Sequence, residues 1–347
     1  NKLNLIEARE YVRLANQNLT NPEMFDINIK KAEELTIWVQ KDNMFQSETE
    51  MILWEIAIIK KQYNWIESFN TSNIWKLTNY ELVNPVKILS KDRNLFIIEK
   101  DKIVWPIVSW QEVKEYIFAD MVLEDEFIDA TISGNNIILL TNNWRVISFS
   151  NNYTFSYVNV VWQDVWQKSK FIEWYSWNLY ITNPENNQIF RHVPIVNWYT
   201  SWDELLTWED SNNIWEILSI WIDWGIYILK DNLTLVKLFA RPNYRFESIV
   251  LNNLPNNYKY EWWKTNIITS NTLSYLYILL NNKIWVFEPN TTRYMDTKSL
   301  KYLWQIEWQT ESIVSFSVPR DWEIDVMTTN WVYKINFEIS WEKLILK

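Results

Sequence analysis

The chain of 347 residues has no cysteine, one histidine and only two glycines, and each shortage removes a class of chemistry. Without cysteine there are no disulfides, no thiolate zinc sites and no cysteine nucleophile. The redox compartment is left open. A histidine-ligated metal or a Ser-His-Asp triad would rest on His192 alone, which ends an apolar run beside Pro194 and reads as a surface or satisfied structural residue. Gly-rich phosphate loops are absent, so nucleotide binding through such loops is unsupported. No uninterrupted apolar run approaches the roughly 20 residues that cross a bilayer. The aliphatic stretch Ile56-Ala57-Ile58-Ile59 stops at Lys60-Lys61. Because Asn1 is not a methionine, a membrane tether is expected only through a segment upstream of it. The compartment is left open, a membrane-tethered place at the cell surface or another extracytoplasmic site being favoured over the cytoplasm. Net charge is −10 with no clustered Lys/Arg footprint, which argues against nucleic acid as a partner.

What is abundant is tryptophan, with 25 residues. Average usage of about 7% predicts roughly 24 glycines in a chain this long. The remaining bias towards Asn, Ile, Lys, Tyr and Phe points to an AU-rich gene, in which UGG codons should be scarce. Trp therefore stands where glycine is missing. Asn143-Trp144, Asp223-Trp224, Asp321-Trp322 and Asn330-Trp331 lie between strand-like runs, where Asn-Gly and Asp-Gly are the usual hairpin dipeptides because type I′ turns need φ > 0. The expectation is that most of these Trp positions are UGA codons that the organism reads as glycine. Trp285, inside Lys283-Ile284-Trp285-Val286-Phe287, is an expected exception.

Residues 1–69 read as a helical hairpin or coiled segment, a stalk or cap. Leu5, Ala8, Val12 and Ala15 keep helical spacing, and Asn21-Pro22-Glu23 carries helix-start chemistry. A second segment spans Ile29–Gln40. Ser47-Glu48-Thr49-Glu50 matches a capping box ahead of apolar Met51, Trp54 and Ile58, and Asn64-Trp65 stands at the expected helix end.

From residue 70 to 347 the pattern is that of strands. Hairpins recur around Ile97, Leu139, Tyr180, Ile228, Ile278 and Val326, at steps of 42, 41, 48, 50 and 48 residues. That is the period of a four-stranded propeller blade. An apolar run precedes each hairpin: residues 86–89, 127–132, 171–172, 217–220, 266–269 and 313–318. The fold class predicted is all-β, a six-bladed β-propeller of four-stranded blades behind a short α-helical N-terminal segment. Ring closure falls either to Lys76–Leu82 or to Leu344–Leu346.

The run Trp177-Asn178-Leu179-Tyr180-Ile181, read as G-N-L-Y-I, is followed by Gln188-Ile189-Phe190-Arg191. With Asp223-Trp224-Gly225-Ile226-Tyr227 and Trp331-Val332-Tyr333-Lys334-Ile335, it resembles the repeat of NHL/TolB-like six-bladed propellers. It is similar in particular to propeller regions of large surface proteins from small-genome candidate bacteria, some of which read UGA as glycine. The resemblance covers about residues 76–347. It implies architecture and no single activity, because that superfamily holds binding modules, scaffolds, hydrolases and lyases.

The acidic cluster Glu124-Asp125-Glu126 with Asp129 could supply paired carboxylates or cation ligands, yet lacks calcium-loop spacing and reads first as a solvated loop between blades. Asp203-Glu204 and Glu209-Asp210 read likewise, and Asn252-Asn253 and Asn256-Asn257 as turns. No catalytic, cofactor-binding or metal-binding residue is assigned, and no cofactor is implied. The expected function is a non-enzymatic binding or scaffolding propeller that engages a protein or glycan partner on a ring face. The alternative is a hydrolase or lyase using carboxylates in the central channel.

Overall fold

A computed structural model describes residues 1–19, 21–41, 45–63, 66–69, 74–91, 94–107, 112–118, 124–161, 166–195, 198–200, 203–206, 214, 217–223, 225–230, 233–239, 245–252, 254, 265–269, 273–289, 299–308, 311–340 and 343–346. Asn64-Trp65, Glu209-Asp210, Trp224, Asp231-Asn232, Asn253 and Asn256-Asn257 lie outside them. The chain divides into two compact units, Asn1–Glu67 and Ser68–Lys347.

The first unit contains three helices, α1 (Lys2–Gln17), α2 (Pro22–Gln40) and α3 (Gln46–Tyr63). Leu5, Ala8, Val12 and Ala15 form the buried stripe of α1. In α2 the Asn21 side chain accepts a hydrogen bond from the Met24 N–H, with Pro22 in the first turn where its missing donor costs nothing. The start of α3 departs from expectation. The helix begins at Gln46, two residues before the start that a Ser47 cap would give, and the Ser47 hydroxyl bonds Glu48 instead of capping the backbone. The buried stripe is accordingly Ile52, Ile56 and Ile59, while Met51 and Trp54 face solvent. Met51, Trp54 and Ile58 fit i, i+3, i+7 and Ile52, Ile56 and Ile59 fit i, i+4, i+7, both of them helical faces, and packing against α1 and α2 selects between them. No helix among the described residues is long and apolar enough to cross a membrane.

The second unit is built mainly of antiparallel sheets whose strands follow one another along the chain, except that a separate Pro194–Ile195/Trp198–Tyr199 hairpin precedes the strand Asp203–Glu204 and that the last sheet takes in Trp75–Lys76. Sheet A comprises Pro85–Lys91, Asn94–Glu99, Lys102–Trp105 and Lys114–Ile117, and sheet B comprises Phe127–Ser133, Asn136–Thr141, Val146–Phe149 and Phe155–Tyr157. Sheet C comprises Phe171–Tyr175, Asn178–Asn183, Gln188–His192 and Asp203–Glu204. Sheet D runs from Ile217–Asp223 through Gly225–Lys230 and Leu235–Phe239 to Arg245–Asn252. Sheet E comprises Asn266–Ile268, Leu276–Leu280, Lys283–Pro289 and Ser299–Trp308, and its last strand pairs in parallel with the last strand of sheet D. Sheet F comprises Ile313–Arg320, Glu323–Thr328 and Val332–Ser340.

Of the two segments the sequence offered for closure, the first joins the start of the unit to its end, while the second folds back as a hairpin on the strand that precedes it. Trp75–Lys76 pairs with Tyr333 and Lys334 near one end of the last strand of sheet F. Lys343–Leu346 pairs with Phe337–Ser340 at the other. The Trp75–Lys76 pairing covers part of an edge strand, which removes a template for edge-to-edge pairing there.

The first strands of sheets A to F run beside one another in order, and that of F runs beside that of A, so the series closes. A separate apolar cluster fills each junction. Adjacent residues serve opposite neighbours: Ile97 packs towards sheet F and Ile98 towards sheet B. The second strands are therefore buried on both faces, which is why Leu95–Ile98 and Ile137–Leu140 read as continuous apolar runs instead of alternating ones. A recurring tie reinforces the packing. The end of a second strand bonds the chain sixteen residues upstream, through Glu99 to Val83 N, Asn142 to Glu126 N and Asn183 to Gln167 O.

The turns separate the tryptophans. Between the first two strands of sheet C, Ser176 and Trp177 have φ of 48° and 73°, the double positive φ of a type I′ turn. In sheet B the Thr141 N–H bonds Arg145 O around a longer loop, and Trp144 takes the left-handed position at φ 57°. Glycine is the residue suited to both positions. Trp322 and Trp331, by contrast, do not have positive φ, contrary to expectation. At Trp331 the loop is shorter: the Thr328 N–H bonds Trp331 O, placing Trp331 at the exit and not at the centre. Gly225, one of the two glycines, is needed for close approach, since a Cβ there would lie 2.9 Å from Lys237 Cε and 3.3 Å from Leu238 O.

Candidate functional site

The first strands of all the sheets line a cavity of about 230 Å³. Its polar lining includes Lys87 from sheet A, Thr131 from B, Glu173 from C, Asn266 and Thr269 at E, and Ser317 from F. Side chains on these strands alternate between faces, so one residue in two is aimed at a given junction.

Two charged residues of the lining, Lys87 and Glu173, are joined by Asp129 from sheet B in one network. Lys87 Nζ lies 2.8 Å from Asp129 Oδ1 and 3.5 Å from Glu173 Oε1. Asp129 Oδ2 also accepts the Ile172 N–H at 2.8 Å, and Glu173 Oε2 accepts the Thr131 hydroxyl at 3.1 Å. Thr131 Oγ1 in turn accepts the Trp174 N–H at 3.3 Å. Every group in the network is engaged. Burial pushes the Glu173 carboxyl up to about 7, with the Lys87 ammonium offsetting only part of the effect and Asp129 adding to it. Burial acts to lower the Lys87 ammonium, but the two carboxylates outweigh it and hold the group above its ordinary value.

The junction of sheets F and A carries the equivalent positions with a different outcome. Ser315 Oγ accepts the Ile88 N–H at 3.3 Å, as Asp129 does from Ile172. Two residues on, Ser317 is 6% exposed and its hydroxyl has no hydrogen-bond partner among the described residues. Asp325 stands opposite Ser317 in register. Lys334 Nζ lies 3.4 Å from Asp325 Oδ1, yet neither carboxylate oxygen accepts a hydrogen bond among the described residues. Burial raises this carboxyl to about 7, partly offset by the Lys334 ammonium.

The acidic cluster read from sequence is split by the fold. Asp125 is not in a solvated loop. Its buried carboxylate accepts from Thr141 Oγ1 (3.2 Å), Asn143 Nδ2 (2.8 Å), Arg145 Nη1 (3.1 Å) and Tyr157 OH (3.3 Å), tying the strands and turn of sheet B together. Glu126 makes a half-exposed ion pair with Lys100, and Asp129 alone joins the cavity network. Asp203 is on the surface, paired with Arg191 at 2.7 Å. Among the described residues, no three His, Asp or Glu side chains are placed to hold a metal ion.

His192 is fully buried. Its Nε2 accepts the Trp166 indole N–H at 3.0 Å, which leaves Nδ1 as the protonated nitrogen, donating to Thr200 O at 2.8 Å. Burial lowers its pKa, so the ring is neutral and structural. Lys87 and Glu173 escaped sequence reasoning. Each is a lone charge inside an apolar strand, Val86-Lys87-Ile88 and Ile172-Glu173-Trp174, and that interruption was the available signal.

No protein-family model matches the chain, and no curated protein matches it. Among solved structures, a YCF48 bound to a D1 peptide aligns at a TM-score of 0.48 and 8% identity, covering 78% of this chain and 98% of that one. A streptogramin B lyase aligns at 0.48 and 12% identity, covering 79% and 97%. YCF48 from Cyanidioschyzon merolae aligns at 0.48 and 8%, covering 76% and 91%. At such scores and identities these likenesses carry no activity or partner to this chain. The sheets themselves, each four-stranded or extended at its edge, have the order and pairing of propeller blades.

Proposed function

We propose that sheets A to F are the six blades of an NHL/TolB-like β-propeller, and that it is a non-enzymatic binding or scaffolding module engaging a protein or glycan partner on a ring face. The observation that carries the reading is the state of the cavity charges. Lys87, Asp129 and Glu173 satisfy one another across three blades, and Asp129 is further fixed by a backbone N–H. A two-carboxylate hydrolase needs one acid free to act as nucleophile or base while the other holds a proton. Here Asp129 is a girder between blades.

One observation favours the alternative, a hydrolase or lyase in the channel. Glu173, at about 7, is tuned as a general acid–base would be. Glycan and peptide arrays, followed by turnover assays on whatever binds, separate the two. Saturable binding without turnover is the expected result. Turnover abolished by Glu173→Gln overturns it.

We infer as well that glycine occupies most Trp positions in the organism. Trp144 and Trp177 sit at left-handed φ, and Trp105, Trp221, Trp304 and Trp308 bury indole N–H groups with no acceptor among the described residues. Buried tryptophans ordinarily find one. Trp166, buried and bonded to His192, is used by the fold as tryptophan. Mass spectrometry of the native protein should give glycine at 144 and 177; tryptophan there ends the idea.

A further inference from the structure

We propose that His192 is an acid-sensitive latch: when its Nε2 takes a proton from solvent, the Trp166 hydrogen bond is lost and the hairpin of Pro194–Ile195 and Trp198–Tyr199 lifts from the segment that leads from sheet B to sheet C.

The latch joins two stretches of chain. At Nε2 the ring accepts the indole N–H of Trp166, which belongs to the segment between sheets B and C. At Nδ1 it donates to Thr200 O, at the end of the hairpin. The hairpin is closed on itself by the Thr200 N–H to Val193 O at 2.8 Å and the Val193 N–H to the Thr200 hydroxyl at 3.0 Å. It meets the other segment through the Tyr199 N–H to Asn159 O at 3.1 Å and the Val161 N–H to Tyr199 O at 3.3 Å. His192 thus stands where both stretches are pinned to the third strand of sheet C.

Protonation changes one side of the ring. A neutral imidazole offers one donor and one acceptor, and both are in use; an imidazolium offers two donors. The new Nε2–H would face the Trp166 N–H across 3.0 Å, donor against donor, in a site closed to water. The Nδ1–H keeps Thr200 O. The ring is therefore driven away from Trp166 and carries the Thr200 end of the hairpin with it, and the bonds of Tyr199 to residues 159 and 161 are the ones that part.

The surroundings favour outward movement. Leu179 lies opposite on the second strand, and Ile138, Leu140 and Val146 of sheet B fill the junction. The titratable groups nearby are the Tyr199 phenol, raised by burial and so neutral throughout the acid range, and the surface Asp203 of the fourth strand, paired with Arg191. An imidazolium moving outwards gains the attraction of Asp203. Burial lowers the ring from its ordinary 6.5, so the latch is closed above that value and opens as pH falls below it. Trp166 is a tryptophan that the fold uses as such, and only the main chain of Trp198 takes part. The Tyr199 hydroxyl also meets the Trp174 indole, an additional contact that glycine at 174 removes without touching the latch.

The test is amide hydrogen exchange of the full chain at about pH 7.5 and about pH 5, corrected for the intrinsic pH dependence of exchange. Protection of Tyr199 and Val161 should fall by about tenfold or more, with about thirtyfold as the ceiling set by a released ring at 6.5. Thr200, bonded within the hairpin, and Lys170, bonded to Thr182 O in sheet C, should keep theirs. In the NMR spectrum the one histidine should titrate in step with the loss. His192→Asn, which takes no proton in this range, should abolish the response. Asp203→Asn, a surface change that leaves folding alone, should move the response to lower pH, because it removes the charge that favours the imidazolium. The proposal is overturned if Tyr199, Val161 and Thr200 lose protection together, as in global unfolding, or if none of them does. It is equally overturned if His192 stays neutral at about pH 5, if folded His192→Asn keeps the response, or if Asp203→Asn responds as the parent does.

Discussion

The junction of sheets B and C and the junction of F and A place polar residues at the same two points of the repeat, yet only the first is complete. Between B and C, Asp129 and Thr131 each accept a backbone N–H of sheet C, and Lys87 neutralises the carboxylates. Between F and A, Ser315 accepts one N–H, while Ser317 and Asp325 are left with unmade hydrogen bonds. Repeat geometry thus sets where polarity enters the junction, and side-chain identity sets whether it acts as glue or stays available.

The largest effect expected is at the complete junction. Lys87→Met strands two buried carboxylates and should cost about 3–5 kcal/mol in denaturant unfolding. Ser317→Ala at the other junction should cost nothing. Equal losses would erase the difference between them.

Next is pH. The Glu173 and Asp325 carboxyls, raised to about 7 from 4.5 and 3.8, hold their protons more tightly folded than unfolded. Their contribution to stability is complete below about pH 4 and is lost as pH rises through 7. His192 acts in the opposite sense, favouring the fold above its ordinary value and withdrawing support as pH falls. For Glu173 the displacement corresponds to about 3 kcal/mol. Unfolding curves from pH 5 to pH 8 should show Glu173→Gln losing most of that decline and Asp325→Asn a comparable part. Curves parallel to the parent would place both carboxyls in ordinary solvent.

The smallest effect concerns the turns. Trp177→Gly, at φ 73°, should gain about 1 kcal/mol, and Trp331→Gly, without positive φ, should gain none. Matching gains would mean that surface exposure rather than backbone conformation sets the effect.

Much of this was legible in the chain. The hairpins at Ile97, Leu139, Tyr180, Ile228, Ile278 and Val326 all occur as read, because local alternation and turn chemistry define a hairpin without help from the rest of the chain. The stripe of α1 was legible for the same reason. That of α3 was not, since Met51-Trp54-Ile58 and Ile52-Ile56-Ile59 are both valid helical faces and only the neighbouring helices choose. The acidic run at 124–129 misled because neighbours along the chain send their side chains to different places: Asp125 to a turn, Glu126 to a half-exposed ion pair, Asp129 to Lys87 of the adjoining sheet.

The sequence by itself determined the local units: three helices, the repeating hairpins, a lone histidine without partners for catalysis, and the places where tryptophan occupies a turn. The tertiary structure alone decided which charges meet. Lys87, Asp129 and Glu173 are some 40 residues apart in sequence from one to the next, and they touch because each blade places the same strand beside its neighbour's. Their pairing, the raised Glu173 carboxyl and the vacant Ser317 hydroxyl follow from burial and inter-strand distance, which a linear pattern does not encode.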